Sequence, residues 1–231
     1  MHAQSTTTPS LQLVTLAALE AFNPASELAL RPFFDMLRIQ VSPMDRRLDH
    51  YFKRLEEMED HGYDLSAADG SVVLEALRHF DALEEDLDVF DFQMSTMRRP
   101  FANGVRKTVA DTTMRVRLRG EHKLEGGSSE KGPMDASRTA FAKAVGKAYT
   151  GFIAPDVTHY DPVTLGDVSS GAAVRVSTRF KYKANGETFE HGFQHTNVDS
   201  NEAMFWAVRD GFTLALYEQR QMGIAKPQDS L

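Results

Sequence analysis

Two histidines and one glycine-rich segment are the parts of this sequence whose residue types and spacing could support chemistry. His191 and His195 lie four residues apart in an alternating segment, so both fall on the same face of a strand, and Asp199 follows them. Neutral imidazole is a common metal ligand and proton carrier, so this group could belong to a metal or acid–base site. The spacing supplies no third ligand, and the pattern favours histidines at the protein surface.

The glycine-rich segment runs from Gly126 to Gly146 with the sequence GGSSEKGPMDASRTAFAKAVG. It predicts a loop that leads directly into a helix, with Pro133 in the first helical turn and Asp135 interacting favourably with the helix dipole. A loop followed by a helix N-terminus presents backbone N–H groups that can bind an anion. The alternative interpretation is that the glycines only allow the chain to turn sharply.

Composition limits the classes of protein that this chain can represent. The 231 residues and the hydrophobic content of 42% suit one large domain or two small ones. The absence of cysteine excludes disulfides and thiolate sites, and the net charge of −7 argues against nonspecific nucleic-acid binding. The N-terminal sequence MHAQSTTTPS lacks a signal-peptide pattern, and no apolar run approaches the roughly 20 residues of a membrane span. We therefore expect a cytoplasmic protein with neither nucleic acid nor membrane as a partner.

The first third of the chain has helical periodicity. Helices are predicted over Ser10–Phe22, from Ser42 to near Gly62 and from Ser66 to about Leu83. Residues 45–91 hold 15 of the 33 acidic side chains, a pattern typical of a solvated helix surface. These features predict an α-helical N-terminal region over residues 1–85.

From Leu87 the hydrophobic period changes to two, and one order of elements occurs twice. Three strands precede the helix that starts at Pro133, and three more precede a final helix with Phe205, Val208, Phe212 and Leu216 on its buried face. The Asn185-Gly186 pair predicts a tight hairpin between the last two strands. The predicted elements are strands Val89–Met97, Met114–Arg119, His122–Glu125, Val157–Leu165, Ala172–Lys183 and Glu187–His195, and the final helix Ser200–Gln219. The fold class is therefore α+β, with a duplicated βββα unit over residues 86–231.

Two further features have ordinary structural interpretations. Arg115, Arg117 and Arg119 alternate with apolar residues, which favours a solvated sheet face over a site for an anionic ligand. Trp206 lies in the final helix, where a position in the core or at an interface is favoured over a ligand platform.

Four segments, in the correct order, resemble one enzyme family. The run GPMDASRTAFAKAV resembles the G-P-[VM]-[ND]-A…A…K-A signature in the C-terminal allosteric region, the LeuA dimerisation domain, of 2-isopropylmalate and citramalate synthases. The segment VTHYDPVTLGDVSSGAAVRVSTRF is similar to the strand, glycine-rich loop and strand of that domain, and MFWAVRDGFTLAL to its closing helix. The segment EDHGYDLSAADGSVVLEAL resembles the helical region that precedes the domain, so the resemblance covers about residues 46–220.

The sequence also departs from that family. The synthases carry a catalytic (β/α)8 barrel of about 250 residues, whereas only about 45 residues precede the matched region and no H-x-H metal motif occurs here. We therefore expect that this chain does not perform the family's acetyl-CoA condensation by itself. The stretch GFQHTNVDSNEAM differs from the family's shorter G-[VT]-S-x-N-I-I-x-A-S, so no ligand contacts are transferred to it.

The resemblance implies a regulatory ligand site. In the family an amino acid such as leucine or isoleucine binds near the dimer interface, at the glycine-rich loops and helix starts. Backbone N–H groups there would hold a carboxylate, Asp135 or Asp167 an ammonium, and small residues would leave room for a side chain. No catalytic residue, metal or cofactor is implied. The corresponding ligand-binding residues are Gly132, Pro133, Asp135, Ala136, Gly166, Asp167, Ser169, Ser170, Gly171 and Ala172.

These observations lead to one leading hypothesis and two alternatives. The leading hypothesis is a freestanding regulatory or accessory protein that binds a small amino acid or 2-keto acid and acts on a separate barrel-type acyltransferase. The alternatives are an enzyme that uses the same pocket and a dimerisation scaffold with no ligand. We expect a homodimer that covers the exposed sheet faces. The enzyme hypothesis requires His191 or His195 to meet Asp135 or Asp167 in one cavity, and we predict that they do not.

Overall fold

Two helices near the start of the described part of the chain pack on the rest of the molecule. The computed structural model describes residues 33–35, 37–42, 45–84, 87–100, 106–166 and 172–228, so the helix expected at Ser10–Phe22 lies outside it. Helix α1 spans Arg46–Asp60 and helix α2 spans Asp69–His79, both shorter than their periodicity suggested. The Asp45 carboxylate caps α1 by accepting the Arg47 backbone N–H at 3.0 Å.

A three-stranded antiparallel sheet follows, and one helix covers its inner face. Strands β1 (Asp88–Pro100), β2 (Arg106–Leu118) and β3 (Glu121–Ser129) pair in that order. Helix α3 (Pro133–Ala148) packs on β2 and β3 through its buried alanines and Phe141. Alternate residues of β2 are buried from Ala110 to Leu118, the pattern of a half-buried strand.

The same order of elements then occurs a second time. After the short strand β4 (Tyr149–Thr150), strands β5, β6 and β7 form a second antiparallel sheet and helix α4 packs on β6 and β7. The predicted hairpin is confirmed, since Asn185 and Gly186 both have positive φ, 51° and 83°. A last strand, β8, pairs with β4. The bounds are β5 Asp156–Thr164, β6 Val174–Ala184, β7 Glu187–Asn197, α4 Ser200–Gln221 and β8 Lys226–Pro227.

A shared hydrophobic core joins the helices to the two sheets. Leu77 of α2, Phe141 of α3 and Phe212 of α4 belong to one buried cluster, and the Phe141 and Phe212 rings lie 5.6 Å apart. The predicted buried face of the final helix is confirmed. The molecule is therefore a mixed α and β fold with antiparallel sheets, in agreement with the expected α+β class. None of the described helices has the length and apolar character needed to cross a bilayer.

The two long helices of this core run in the same direction. Met134 in the first turn of α3 packs against the same cluster as Met204 near the start of α4. At the other end, the Arg220 guanidinium of α4 lies 5.7 Å from the ring of Tyr149, which follows α3. Helices α3 and α4 therefore begin at the same end of the molecule.

The prediction that a glycine-rich loop starts at Gly126 is wrong, because the loop is much shorter. Gly126 and Gly127 belong to strand β3, where they pair with Thr113 and Thr112 of β2, and only residues 130–132 connect β3 to α3. A Cβ atom on Gly127 would lie 1.9 Å from the carbonyl oxygen of Ala136. This glycine is therefore required because α3 crosses very close to β3, and not because the chain turns.

Candidate functional site

The start of helix α3 provides the first half of the candidate ligand site. Gly132 adopts a φ of 120°, a conformation that favours glycine, and Pro133 occupies the first helical turn as predicted. Because Gly132 has no side chain, it cannot cap the helix. The first N–H groups of α3 and the positive end of its dipole thus favour an anion at this position.

Asp135 in the same turn is already paired within the chain. Its carboxylate accepts a hydrogen bond from Ser129 Oγ at 2.6 Å and one from Arg138 Nε at 3.2 Å. The Ser129 hydrogen bond, together with Arg138, lowers the pKa of Asp135 below its usual value despite partial burial. The carboxylate stays charged, but an ammonium group would have to share it with Arg138.

The connection between β5 and β6 contains the second half of the predicted site. The Leu165 backbone N–H donates to the Ala173 carbonyl at 2.8 Å and closes the base of this connection. Gly166 has a φ of 77°, and Ala172 is half-buried. The other predicted ligand residues, Asp167, Ser169, Ser170 and Gly171, lie outside the described residues.

One small cluster brings the start of α3 and the start of β6 to the same end of the molecule. Met134 of α3 and Val174, two residues after Ala172, both pack against buried Val176, Ala203 and Met204. The α3 start, the β6 start and the α4 start therefore meet there. Ala136, also predicted as a ligand residue, is fully buried against β3 and contributes no exposed surface.

A cleft of about 380 Å³ adjoins the α3 start. Ser129, at the end of β3, lines the cleft and also donates to Asp135, so the cleft borders the first turn of α3. Its cation, Arg99, forms an ion pair with Asp111 at 2.5 Å. The volume is within the range of small-molecule sites. The lining residues are Arg99, Pro100, Val109, Ser128, Ser129 and Glu130.

The prediction of a surface position is wrong for His191. Its side chain is buried between two carboxylates, with Nδ1 3.4 Å from Asp69 Oδ2 and Nε2 2.9 Å from Glu218 Oε1. Glu218 also accepts a hydrogen bond from the Tyr182 hydroxyl at 2.6 Å. Burial by itself lowers the pKa of His191, but the charges of Glu218 and Asp69 outweigh burial and raise it to about 10. His191 is thus a buried imidazolium that bridges α2, β7 and α4.

His195 belongs to a second ionic cluster. Its Nε2 atom lies 2.6 Å from Asp210 Oδ2, and Asp210 also accepts hydrogen bonds from Arg78 at 3.0 Å and from Arg209. Burial raises the pKa of Asp210, but Arg209, Arg78 and His195 outweigh that effect and hold it well below its usual value. The histidines therefore pair with Asp69, Glu218 and Asp210 and not with Asp135. Among the described residues no group of three or more side chains is arranged to hold a metal ion.

The acidic partners of these clusters are the residues that the sequence interpretation missed. It assigned the carboxylates of the helical region to a solvated surface, yet Asp69 is 3% exposed. Asp210 is equally buried on the apolar face of α4, between Val208 and Phe212. A charged residue that interrupts an otherwise apolar face was the available signal, because such a position requires a buried partner.

Arg115 and Arg117 lie on an exposed sheet face, as the alternation favoured, whereas Arg119 lies in the turn after β2 with a positive φ of 55°. Arg115 pairs with Asp91 and Arg117 pairs with Asp88 across the β1–β2 register. Trp206 packs edge-on against Phe92 and Phe205 with its ring half-buried, in agreement with a core position.

Comparison with known proteins gives one similarity that extends over most of the chain. An (R)-citramalate synthase from Aquifex aeolicus (strain VF5) is 24% identical over 188 residues, which cover 80% of this chain and 34% of that protein. The chain is distantly related to the citramalate synthase family. It spans about a third of the length of this curated relative, and the similarity does not show which domain of the relative it resembles. No family model matches the chain.

Proposed function

We propose that this protein is a regulatory or accessory protein of the citramalate synthase type that binds a small amino acid or 2-keto acid. The observation that carries the proposal is the meeting of Met134 and Val174 on one buried cluster. Both side chains pack against Val176, Ala203 and Met204, so the α3 start, just after Gly132, and the β6 start, just after Ala172, lie at the end of the molecule where α4 also starts. The N-terminus of α3, which no side chain caps, favours a carboxylate there, whereas α4 is already capped by Asp199, which accepts the Asn201 N–H at 2.8 Å.

The distant relationship to a citramalate synthase supports a link to that family. The proposed role does not include the condensation chemistry, because the H-x-H metal motif does not occur in this sequence. In this proposal the ligand binds at the residues around the α3 start and the β5–β6 connection, and the protein then acts on a separate barrel-type acyltransferase. A regulator shifts its partner only through different affinities for two states of that partner, so it needs no activated acid or base. The pairing of both histidines with structural carboxylates agrees with that requirement.

A thermal melting screen with amino acids and 2-keto acids tests ligand binding. A ligand at 100 times its Kd stabilises the folded protein by about 2.7 kcal/mol. The stabilisation should disappear in Gly132→Ala, because a φ of 120° strains alanine at the α3 start.

Gly120→Ala is the matched control for this variant. Gly120 also has a positive φ, 74°, and an added Cβ meets nothing within 4 Å at either glycine. Gly120 lies at the other end of β3, so this variant should lose stability but keep the ligand shift. If no compound stabilises the wild-type protein, the ligand proposal fails and the scaffold hypothesis is favoured.

A further inference from the structure

Two buried polar atoms without a hydrogen-bond partner lie on the second sheet, on the face directed away from α4. They are Nε of Arg175 and Oγ1 of Thr196. The two residues are direct partners in the β6–β7 register, so their side chains lie on the same face within contact distance. Val174 and Val176, on either side of Arg175, pack towards α4. Arg175 and Thr196 therefore share the opposite face of the sheet.

The segment after helix α1 holds Arg175 in place. Nη1 of Arg175 donates a hydrogen bond to the Gly62 carbonyl at 2.9 Å. An added Cβ on Gly62 would lie 2.5 Å from Leu165 at the end of β5, so this segment lies close over the same corner of the sheet. The guanidinium is thus oriented by a backbone carbonyl, while its buried Nε–H group has no acceptor among the described residues.

Arg175 also differs from other half-buried arginines in its charge environment. Arg78, Arg138 and Arg209 each contact a carboxylate, at 3.0, 3.2 and 2.6 Å respectively. Within the part of the chain that the structure describes, Arg175 has no such ion pair. A partly desolvated cation without a counter-charge, next to an unsatisfied hydroxyl, is energetically unfavourable, and a bound anion would supply both missing interactions.

We propose that Arg175 and Thr196 form a binding site for a small carboxylate. One carboxylate oxygen accepts the Nε–H of Arg175 and the other accepts the Thr196 hydroxyl, and one negative charge balances the single guanidinium. A phosphate carries more charge than this cation can balance. The site lies on the sheet face directed away from α4, so it is distinct from the anion position at the start of α3, although it is close to the β5–β6 connection.

The proposal is tested by NMR of protein labelled with 15N-arginine, with sodium acetate as the probe and sodium chloride at equal ionic strength as the reference. The Nε–H resonance of Arg175, assigned as the one missing in Arg175→Lys, should shift and saturate with acetate and not with chloride. Thr196→Val keeps the side-chain volume but removes the hydroxyl, and it should weaken acetate binding about fivefold or more. Arg179→Gln, on the same face of β6 and close to Glu190 at 3.9 Å, should leave acetate binding unchanged.

Three results would overturn the proposed carboxylate site. The first is an Arg175 resonance that does not respond to acetate, and the second is an equal response in Thr196→Val. The third is tighter binding of inorganic phosphate than of acetate. If Arg175→Lys does not fold, the Nε–H resonance is assigned by through-bond correlation from the Arg175 backbone, and the comparison with Thr196→Val still decides the question. If amino acids stabilise the protein but acetate leaves the Arg175 signal unchanged, the carboxylate site is rejected while the proposed function stands. If acetate binds but no amino acid or 2-keto acid stabilises the protein, the carboxylate site stands and the proposed function is rejected.

Discussion

Gly127 shows how one residue controls the packing of a helix on a sheet. Ala136 of α3 approaches Gly127 so closely that a methyl group on the glycine would overlap its carbonyl oxygen. A neighbouring glycine provides a contrast, since Gly146 lies within α3 and an added Cβ there meets nothing within 4 Å. The same substitution should therefore have opposite effects at the two positions.

We predict that Gly127→Ala destabilises the protein by about 3 kcal/mol or more, because backbone atoms must move to relieve the overlap. Gly146→Ala should stabilise it by about 0.5–1 kcal/mol, because alanine favours the helix and restricts the unfolded chain. Urea unfolding of both variants measures the difference. Equal stability of the two variants would contradict the close approach of α3 to β3.

His191 should make stability depend on pH in the alkaline range. Its pKa is raised from 6.5 to about 10 by Glu218 and Asp69, which outweigh burial, so the folded state retains a proton that the unfolded state releases. The stabilisation is complete below pH 6.5 and is lost as pH rises through about 10. Unfolding free energies measured from pH 6 to pH 10 should fall more steeply for wild type than for His191→Gln.

His122→Gln is the matched control for this pH dependence, because His122 is exposed on strand β3. This variant should retain the wild-type slope. A His191→Gln profile parallel to that of wild type would show that the imidazolium between Asp69 and Glu218 is not formed.

At the scale of elements, α2 and the segment before it cover the edge of the second sheet. Strand β7 is an edge strand, and two of its outward N–H groups donate hydrogen bonds to α2. The Gly192 N–H donates to Asp69 Oδ1 at 2.9 Å, and the Gln194 N–H donates to Ser71 Oγ at 3.1 Å. In return, the Gln194 side chain accepts the Asp64 N–H at 2.7 Å. Helix α2 therefore supplies the partners that a further strand would otherwise provide.

Ser71→Ala should destabilise the edge strand β7, because it removes the hydroxyl that accepts the Gln194 N–H. The Gln194 N–H would remain buried without an acceptor, at a cost of about 1–3 kcal/mol. Hydrogen exchange should show loss of protection at Gln194, whereas protection in β2 and α3 should be reduced far less. Ser95→Ala, in half-buried strand β1, serves as the control and should change neither quantity by a comparable amount. Unaltered exchange at Gln194 in Ser71→Ala would rule out this role of α2.

At the scale of the whole molecule, the helices cover the inner faces of both sheets, and the outer faces remain exposed. On the first sheet that outer face combines the paired arginines with Phe90 and Leu124, which are 50% and 69% exposed. The Phe90 ring stacks on His122 at 4.8 Å, so these apolar groups lie on one surface. A second copy of the chain would cover them, as the duplicated order of elements suggested.

We predict a homodimer in solution. Sedimentation equilibrium at micromolar concentration should give about twice the mass of the chain. Leu124→Glu, which places a charge on the outer face of the first sheet, should shift the equilibrium towards monomer, and Val198→Glu, at an equally exposed position before α4, should not. A wild-type monomer under these conditions would contradict the dimer.

The sequence by itself determined the features that depend on neighbouring residues. The alternation of Val174 to Tyr182, the Asn185-Gly186 hairpin and the first turn at Pro133 were all predicted correctly, because side-chain periodicity and turn conformations are local properties. The predicted order of helices and strands also gave the α+β class, and the distant relationship to a citramalate synthase agrees with the family resemblance seen in the sequence.

The tertiary structure decided what depends on contacts between distant parts of the chain. His191 is buried because Asp69, 122 residues earlier, and Glu218 surround it, and periodicity within one strand contains no information about those partners. Gly127 is required by a helix that crosses the strand, although its local sequence is equally typical of a loop. Met134 and Val174 likewise pack against one cluster only because α3 and α4 lie side by side and bring two separate segments to one end of the core.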